Sequence, residues 1–356
     1  MLIKRLPFST TVFRALCAAL LFPVLFTACT EDTDEVIAPQ EEALPQQIIE
    51  LAPNPEEWVT IQASDVAGME ELGKKKRATQ APGVDRGRFN ITLKYIVPVT
   101  EQQEQVFNDA AARWERIIIK DVPSFTGTIP SAFTGFPPAI DGTVDDILIE
   151  VALAPIDGEG GILGQAGPRF VRTEDNLTLS GVMFFDVADL AFLDELGLFE
   201  EVIIHEMGHV LGIGTLWNFG GRSLREFNAE DLPYFDGKQA NVFWNAEGGT
   251  YELPIEDDFG PGTQFSHWKE ATLNNELMTG FLNLGENPLS RITAGSMRDL
   301  GYGAAMVGES YDLPEGATGV NVDGDDTPSD DETNGEGINI AAREITLLPI
   351  GSVTTK

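Results

Sequence analysis

Three histidines are the residues of this 356-residue chain whose type and spacing point most clearly to chemistry, and the sequence has no others. His205 and His209 lie four positions apart, with Glu206 beside the first of them. In an α-helix such residues share a face, so two imidazoles can hold one metal ion. His267 is available as a third ligand. Catalytic zinc takes three protein ligands and leaves a fourth position for water, so the set predicts a site for one zinc ion.

Glu206 lies where a general base is needed. A carboxylate beside the water can take its proton as the water attacks a carbonyl, and can then pass that proton to the leaving amine. Zinc at such a site lowers the pKa of the water and polarises the carbonyl. The motif alone fixes only three of five positions, and a helix with two ordinary histidines would also show it.

The residues after the pair show how a third ligand could return to it. The apolar run at residues 198–211 predicts a helix. Gly212 and Gly214 follow it, and glycine can adopt the left-handed conformation that ends a helix and lets the chain turn back. The chain can then come back with His267. In Glu-Leu-Met-Thr-Gly, Met278 could form a turn beneath the metal, although a methionine by itself is more often plain core.

The elements around this helix predict a mixed α and β core. Thr100 with Gln103 forms a capping-box start for a helix, and a second helix is expected within residues 288–300, opened near Ser290 or Thr293. Apolar and alternating stretches predict strands at residues 89–97, 147–152 and 181–185. Strands that alternate with helices favour an α/β or α+β fold.

With these residues in view, the chain resembles the metzincin zinc peptidases, and within them the leishmanolysin group. Most metzincins place the third histidine six residues after the second, and Thr215 stands there in this chain. The leishmanolysin group carries an insertion before that histidine. His267, followed by the Glu-Leu-Met-Thr stretch that contains Met278, matches this arrangement. The resemblance covers about residues 88–303.

The resemblance implies a fold, an activity and a set of roles. The fold would be α+β, with a twisted mixed sheet, an active-site helix and a mostly irregular C-terminal subdomain. The chain would be a zinc-dependent endopeptidase acting on proteins or peptides, with Glu206 as general base. The metal ligands would be His205, His209 and His267, with Met278 and Gly212 as structural support. Leishmanolysin is kept latent by a cysteine of its pro-segment, and this chain shows no cysteine suited to that role.

The first residues resemble a bacterial lipoprotein signal. Basic residues precede an apolar run at 15–26, which ends in Thr-Ala-Cys. Cys29 would be lipidated and become the mature N-terminus, and ordinary signal cleavage is the alternative. We therefore expect an extracytoplasmic protein, lipid-anchored to a bacterial membrane (the outer membrane or the cell surface) or secreted.

Composition divides the chain into four parts. Residues 1–28 are the lipoprotein signal, and 29–87 an acidic tether or pro-segment, whose basic run at 74–77 is either a cleavage point or part of a solvated linker. By the resemblance, residues 88–311 would be the leishmanolysin-like peptidase domain. Residues 312–356 would be an acidic flexible tail, although its last residues could form one returning strand. The net charge of −34 disfavours nucleic acid as a partner. The expected partners are protein or peptide substrates and, through the predicted lipid anchor, a membrane.

Two rival hypotheses remain open on the sequence. In the first, a glutamate from a later helix, Glu226 or Glu230, is the third ligand in place of His267. In the second, the chain is a lipid-anchored surface binding or adhesion protein that keeps zinc only for structure. Structural zinc sites close the fourth position with a protein ligand and have no need of a general base, so Glu206 argues against the second.

Overall fold

The computed structural model describes residues 48–64, 87–322 and 337–355. The predicted signal at 1–28, Cys29 and the basic run at 74–77 lie outside these residues. Ile48–Lys356 form one compact unit. Within the described part of the chain, no helix combines the length and apolar character that crossing a membrane requires.

The described residues form fourteen strands and six α-helices. The strands are β1 (Val59–Gln62), β2 (Ile91–Tyr95), β3 (Phe125–Ile129), β4 (Ile140–Val144), β5 (Ile147–Ala154), β6 (Gly164–Arg172), β7 (Thr178–Asp186), β8 (Arg225–Phe227), β9 (Pro233–Phe235), β10 (Leu253–Pro254), β11 (Phe281–Asn283), β12 (Gly337–Asn339), β13 (Glu344–Thr346) and β14 (Gly351–Thr354). The helices are α1 (Glu101–Ile117), α2 (Val187–Glu195), α3 (Phe199–Leu211), α4 (Lys238–Glu247), α5 (Glu270–Leu273) and α6 (Arg291–Leu300).

A seven-stranded sheet forms the centre of the domain. Its order is β1-β14-β6-β7-β5-β2, and β13 pairs with one end of β6. β6 runs antiparallel to β7, and the other neighbouring pairs run parallel. β5 and β7 are buried throughout, because α1 and α3 cover one face and the hairpin β3–β4 packs on the other. The mixed, twisted sheet with its helices confirms the predicted α+β class.

Helix α1 begins where the sequence predicts and supports the helix that carries the histidine pair. The Thr100 hydroxyl accepts from the Gln103 amide at 3.2 Å, and the Gln103 side chain accepts from the Thr100 amide at 2.9 Å, which completes the capping box. Near the end of α1 the buried Trp114 indole donates to the carbonyl of Ile204 at 2.9 Å. This bond fixes α1 to α3.

A glycine in the sheet lets α3 lie close to β7. A Cβ atom on Gly181 would lie 2.3 Å from Cγ1 of Val210, so any larger residue would push the helix away. The Thr178 hydroxyl also donates to the carbonyl of Val210 at 2.8 Å. The last turns of α3 are therefore held against the sheet before the chain leaves the helix.

The chain after α3 forms a second layer made of short elements and irregular segments. Helix α6 starts at the predicted cap, where the Ser290 hydroxyl accepts from the amides of Ile292 at 3.1 Å and Thr293 at 3.3 Å. Strands β8 to β10 form a small sheet, and α4 packs against α6. This layer matches the expected, mostly irregular C-terminal subdomain.

Two segments that the sequence analysis places outside the domain belong to its sheet. In the predicted tether, residues 48–64 contain β1, and Leu51 forms a bridge with Phe133. In the predicted tail, residues 337–355 contain β12 to β14, and β14 lies between β1 and β6. The described parts of the predicted tether and tail therefore pair with the central sheet, and the last residues form strands, as the alternative of a returning strand proposed. Their strands are three or four residues long and pair with distant parts of the chain, so no local pattern identifies their partners.

Candidate metal centre

Helix α3 presents the two paired histidines on one face. The ring centroids of His205 and His209 lie 4.8 Å apart, and both side chains are fully buried. The helix ends at Gly212, whose φ of 123° lies in the region that favours glycine. The amide of Ile213 then donates to the carbonyl of Gly208 at 2.9 Å and closes the last turn. The chain can turn back directly after the second histidine.

A second glycine allows the returning chain to pass beside the end of the helix. Gly214 has a φ of 71°, and a Cβ atom placed on it would lie 2.4 Å from the carbonyl oxygen of Ser266. No side chain fits at that distance. Because His267 is the next residue, this close approach positions its imidazole against the pair on α3.

The Nε2 atoms of the three histidines meet at one point. Those of His205 and His209 are 3.0 Å apart, those of His209 and His267 are 3.0 Å apart, and those of His205 and His267 are 3.1 Å apart. This triangle is small enough for one ion to reach all three atoms at the usual zinc–nitrogen distance of about 2.0–2.1 Å.

The opposite nitrogen of each ring is fixed by the backbone. Each Nδ1 lies within hydrogen-bond distance of a carbonyl oxygen and donates to it, which leaves the Nε2 lone pair free. Burial lowers the pKa of His205 to about 4, so its ring is neutral at ordinary pH. The pairs are His205 with Leu277 at 2.8 Å, His209 with Ile213 at 3.0 Å, and His267 with Thr263 at 3.0 Å.

A tight turn containing Met278 lies beneath the histidines. The Thr279 amide donates to the carbonyl of Glu276 at 3.1 Å, and the Met278 amide donates to the carboxylate of Glu276 at 2.7 Å. The carbonyl of Met278 accepts from the Trp268 amide at 3.0 Å. Met278 is fully buried, and its Sδ would lie 2.7 Å from a Cβ atom on Gly208. The turn thus packs against the underside of α3.

Two carboxyl groups are part of the same buried centre. Glu344 approaches all three rings, with Oε1 3.0 Å from Nε2 of His267 and 3.4 Å from Nε2 of His209, and Oε2 3.4 Å from Nε2 of His205. Glu206 is fully buried. Burial raises the pKa of the Glu206 carboxyl well above its usual range, and the charge of Glu344 raises it further.

This collection of acceptors fits a divalent cation. Among the described residues, no backbone amide or hydroxyl group donates to either oxygen of Glu206 or of Glu344. Buried polar atoms are normally paired, and three imidazole lone pairs and two carboxyl groups packed together repel one another. His205, His209, His267 and Glu344 have ligand atoms close enough to hold one metal ion. Neutral imidazole with carboxylate suits zinc.

The structure brings together the six residues that the sequence analysis selects for the site, and it adds one. The six are His205, Glu206, His209, Gly212, His267 and Met278. Glu226 and Glu230, the rival third ligands, are not in the metal-binding group found among the described residues. Glu226 instead accepts a hydrogen bond from the hydroxyl of Ser223. The addition is Glu344, in the sequence Ala-Arg-Glu-Ile-Thr, which has no spacing or motif that links it to the histidines.

Comparison with known proteins gives the family. The leishmanolysin family model matches residues 120–314, which is more than half of the chain and includes the three histidines and Met278 but not Glu344. A leishmanolysin homolog of Crithidia fasciculata is 23% identical over 228 residues, which cover 60% of this chain and 33% of that protein. The chain thus spans about a third of the length of this curated relative. On the family match, this chain belongs to the leishmanolysin family of peptidases.

Proposed function

We propose that the protein is a zinc-dependent endopeptidase that hydrolyses peptide bonds in proteins or peptides. The observation that carries the proposal is the convergence of the Nε2 atoms of His205, His209 and His267, 3.0–3.1 Å apart, next to Glu206. The family match supports the same activity, although the curated relative is a much longer protein.

In this proposal each residue of the centre has one task. The three histidines hold the metal, and their Nδ1 bonds to backbone carbonyls keep the rings in the orientation that metal binding needs. When bound, zinc would supply Lewis-acid activation of water and of the scissile carbonyl. Glu206 takes the proton of the attacking water and delivers it to the leaving nitrogen.

One observation favours the rival in which zinc is purely structural. A structural zinc site is closed by four protein ligands, and Glu344 stands where a fourth ligand would bind. The rival gives Glu206 no task, however, and a buried carboxyl group with neither oxygen hydrogen-bonded is costly to keep. A role in proton transfer would explain why the Glu206 carboxyl group is buried beside the metal centre, so the peptidase hypothesis is favoured over the structural one.

The location of the protein is part of the proposal. The lipoprotein-like signal that ends at Cys29 supports a lipid anchor outside the cytoplasm. The net charge of −34 makes neutral or cationic peptides the more suitable substrates. Partition of the full chain into a detergent phase, and its loss on Cys29→Ser, would support the anchor. Equal partition of both forms would rule it out.

The activity is tested by cleavage of an unfolded protein. We expect the zinc-loaded protein to cut a reduced and carboxymethylated substrate, and a zinc chelator to abolish the cutting. Restoring zinc should restore it, because the imidazole set provides the binding site. The assay should include Glu344→Ala beside the unaltered chain, since Glu344 faces the rings. Cleavage by either form that persists without metal would contradict the proposal.

A further inference from the structure

The C-terminal strand β13 lies along the edge of the sheet next to the metal centre. It runs parallel to β6, with Glu344 opposite Gly164 and Thr346 opposite Ala166. The Leu163 amide donates to the carbonyl of Arg343 at 2.6 Å, and the Leu347 amide donates to the carbonyl of Ala166 at 2.7 Å. Residues 343–347, here called the C-terminal strap, therefore occupy the backbone groups of β6 beside the histidines.

The edge strand is shaped for this contact. Gly167 has a φ of 157°, and a Cβ atom on it would lie 2.0 Å from the carbonyl oxygen of Leu347, so only glycine permits the approach. At the other end of the strap, the Arg343 guanidinium forms an ion pair with the buried carboxylate of Asp189 and donates to the carbonyl of Gly161 at 3.3 Å. Both ends of the strap are thus held in specific contacts.

The strap closes the metal centre. His205, His209, His267 and Glu206 all have no exposed surface, and Glu344 is the group that faces the three Nε2 atoms. A peptide bond cannot reach the histidines while the Glu344 side chain is in place. A catalytic zinc ion needs one position free for water, and a fourth protein ligand removes it.

The strap is attached more weakly than the segments on either side of it. Within the strap, Ile345 is 40% exposed and Leu347 is only partly buried against the core, so neither apolar side chain is fully enclosed. Ile340 and Ala341 before the strap are buried, and their amides donate to the carbonyl of Gly280 at 3.1 and 3.2 Å. After it, Val353 of β14 is buried in the sheet. The strap can leave β6 while both flanking segments keep their contacts.

We propose that the C-terminal strap is an inhibitory segment of this chain, and that Glu344 is the fourth metal ligand of a latent form. The proposal rests on the proposed function, since latency has meaning only for an enzyme. Displacement of Glu344 frees the fourth position for water and exposes the edge of β6 to an extended peptide. No bond in the chain has to be cut for this change, because the contacts that hold the strap are non-covalent.

Two variants test the proposal, each with a readout that does not depend on catalysis. Glu344→Ala removes the ligand, and Arg343→Ala loosens the strap while Glu344 remains. Glu315→Ala, at an exposed carboxyl group, is the matched control. For each zinc-loaded protein, the rate at which a chelator extracts the metal is measured together with cleavage of a short peptide. The Co²⁺-substituted forms are compared by visible absorption.

We expect Glu344→Ala to release zinc and to cleave peptide faster than the unaltered chain by roughly tenfold or more, as loss of a charge-assisted contact predicts. Its Co²⁺ spectrum should change as water replaces the carboxylate. Arg343→Ala should shift both rates in the same direction, and the control should shift neither. If Glu344→Ala keeps the release rate and the Co²⁺ spectrum of the unaltered chain, the inference is wrong.

The outcomes also separate this inference from the proposed function. Faster release and a changed spectrum without cleavage by any form would support Glu344 as a ligand and contradict the peptidase. Metal-dependent cleavage that is equal in all four proteins would support the peptidase and contradict the strap. Cleavage of the chain itself within residues 343–347, detected by mass spectrometry, would identify the strap as a substrate and overturn its inhibitory role.

Discussion

Glu206→Gln is expected to lower kcat/KM for peptide cleavage by about 10²- to 10⁴-fold, the usual contribution of general acid–base catalysis. The amide has the size of the carboxyl group but cannot take a proton from water. Zinc content should not change, because the ligand set contains three histidines and Glu344 but not Glu206. The fold should also persist, because the amide occupies the same buried space as the carboxyl group and no backbone group depends on it.

Glu200→Gln is the matched control for this variant. Glu200 lies on the same helix, α3, with 42% of its side chain exposed, and it should leave cleavage unchanged. Both substitutions should be measured in the unaltered chain and together with Glu344→Ala, so that the C-terminal strap does not hide the effect. A zinc-loaded Glu206→Gln protein that cleaves within about threefold of its parent would remove Glu206 from the mechanism.

Zinc removal is expected to lower the melting temperature by about 10 °C. A ligand present at 1,000 times its Kd stabilises the folded state by about 4 kcal/mol, and each kcal/mol shifts the melting temperature of a domain of this size by roughly 2–4 °C. In this structure the loss has a clear origin. Without a cation, the lone pairs of His205, His209 and His267 face two carboxyl groups in a buried space.

The measurement is a thermal unfolding scan of the metal-free protein with zinc added back. Mg²⁺ is the control cation, because it has the same charge but prefers oxygen ligands and keeps its waters. Zinc should restore the melting temperature, and Mg²⁺ should not. If the metal-free and zinc-loaded proteins have the same melting temperature, or if Mg²⁺ restores that temperature as well as zinc does, the centre does not bind zinc specifically in the folded state.

The parts of the site that the sequence predicts depend on local signals. Helix α3 follows from an apolar run that ends at Gly212, and α1 and α6 follow from caps at Thr100 and Ser290. The spacing of His205 and His209 is a property of the helix itself. His267 follows the pair by 58 residues, and only its being the last remaining histidine and the family resemblance link it to them.

The parts that the sequence does not predict depend on contacts between distant residues. Trp58 and Ser352 are 294 positions apart, yet the indole donates to the hydroxyl at 3.2 Å where β1 meets β14. β13 is three residues long, and its Ile345 is exposed, so the sequence offers a returning strand here only as an alternative to a flexible tail. Glu344 reaches the metal centre because β13 pairs with β6, a partner that no pattern near position 344 identifies.

The central claim is that one zinc ion is held by His205, His209 and His267. X-ray absorption at the zinc edge of the zinc-loaded, unaltered chain tests it most directly, because the spectrum counts the imidazole ligands. The account predicts one zinc per chain with three imidazoles at about 2.0–2.1 Å and an oxygen ligand, assigned to Glu344. Two or fewer imidazoles per zinc, or a chain that binds no zinc after loading, would contradict it.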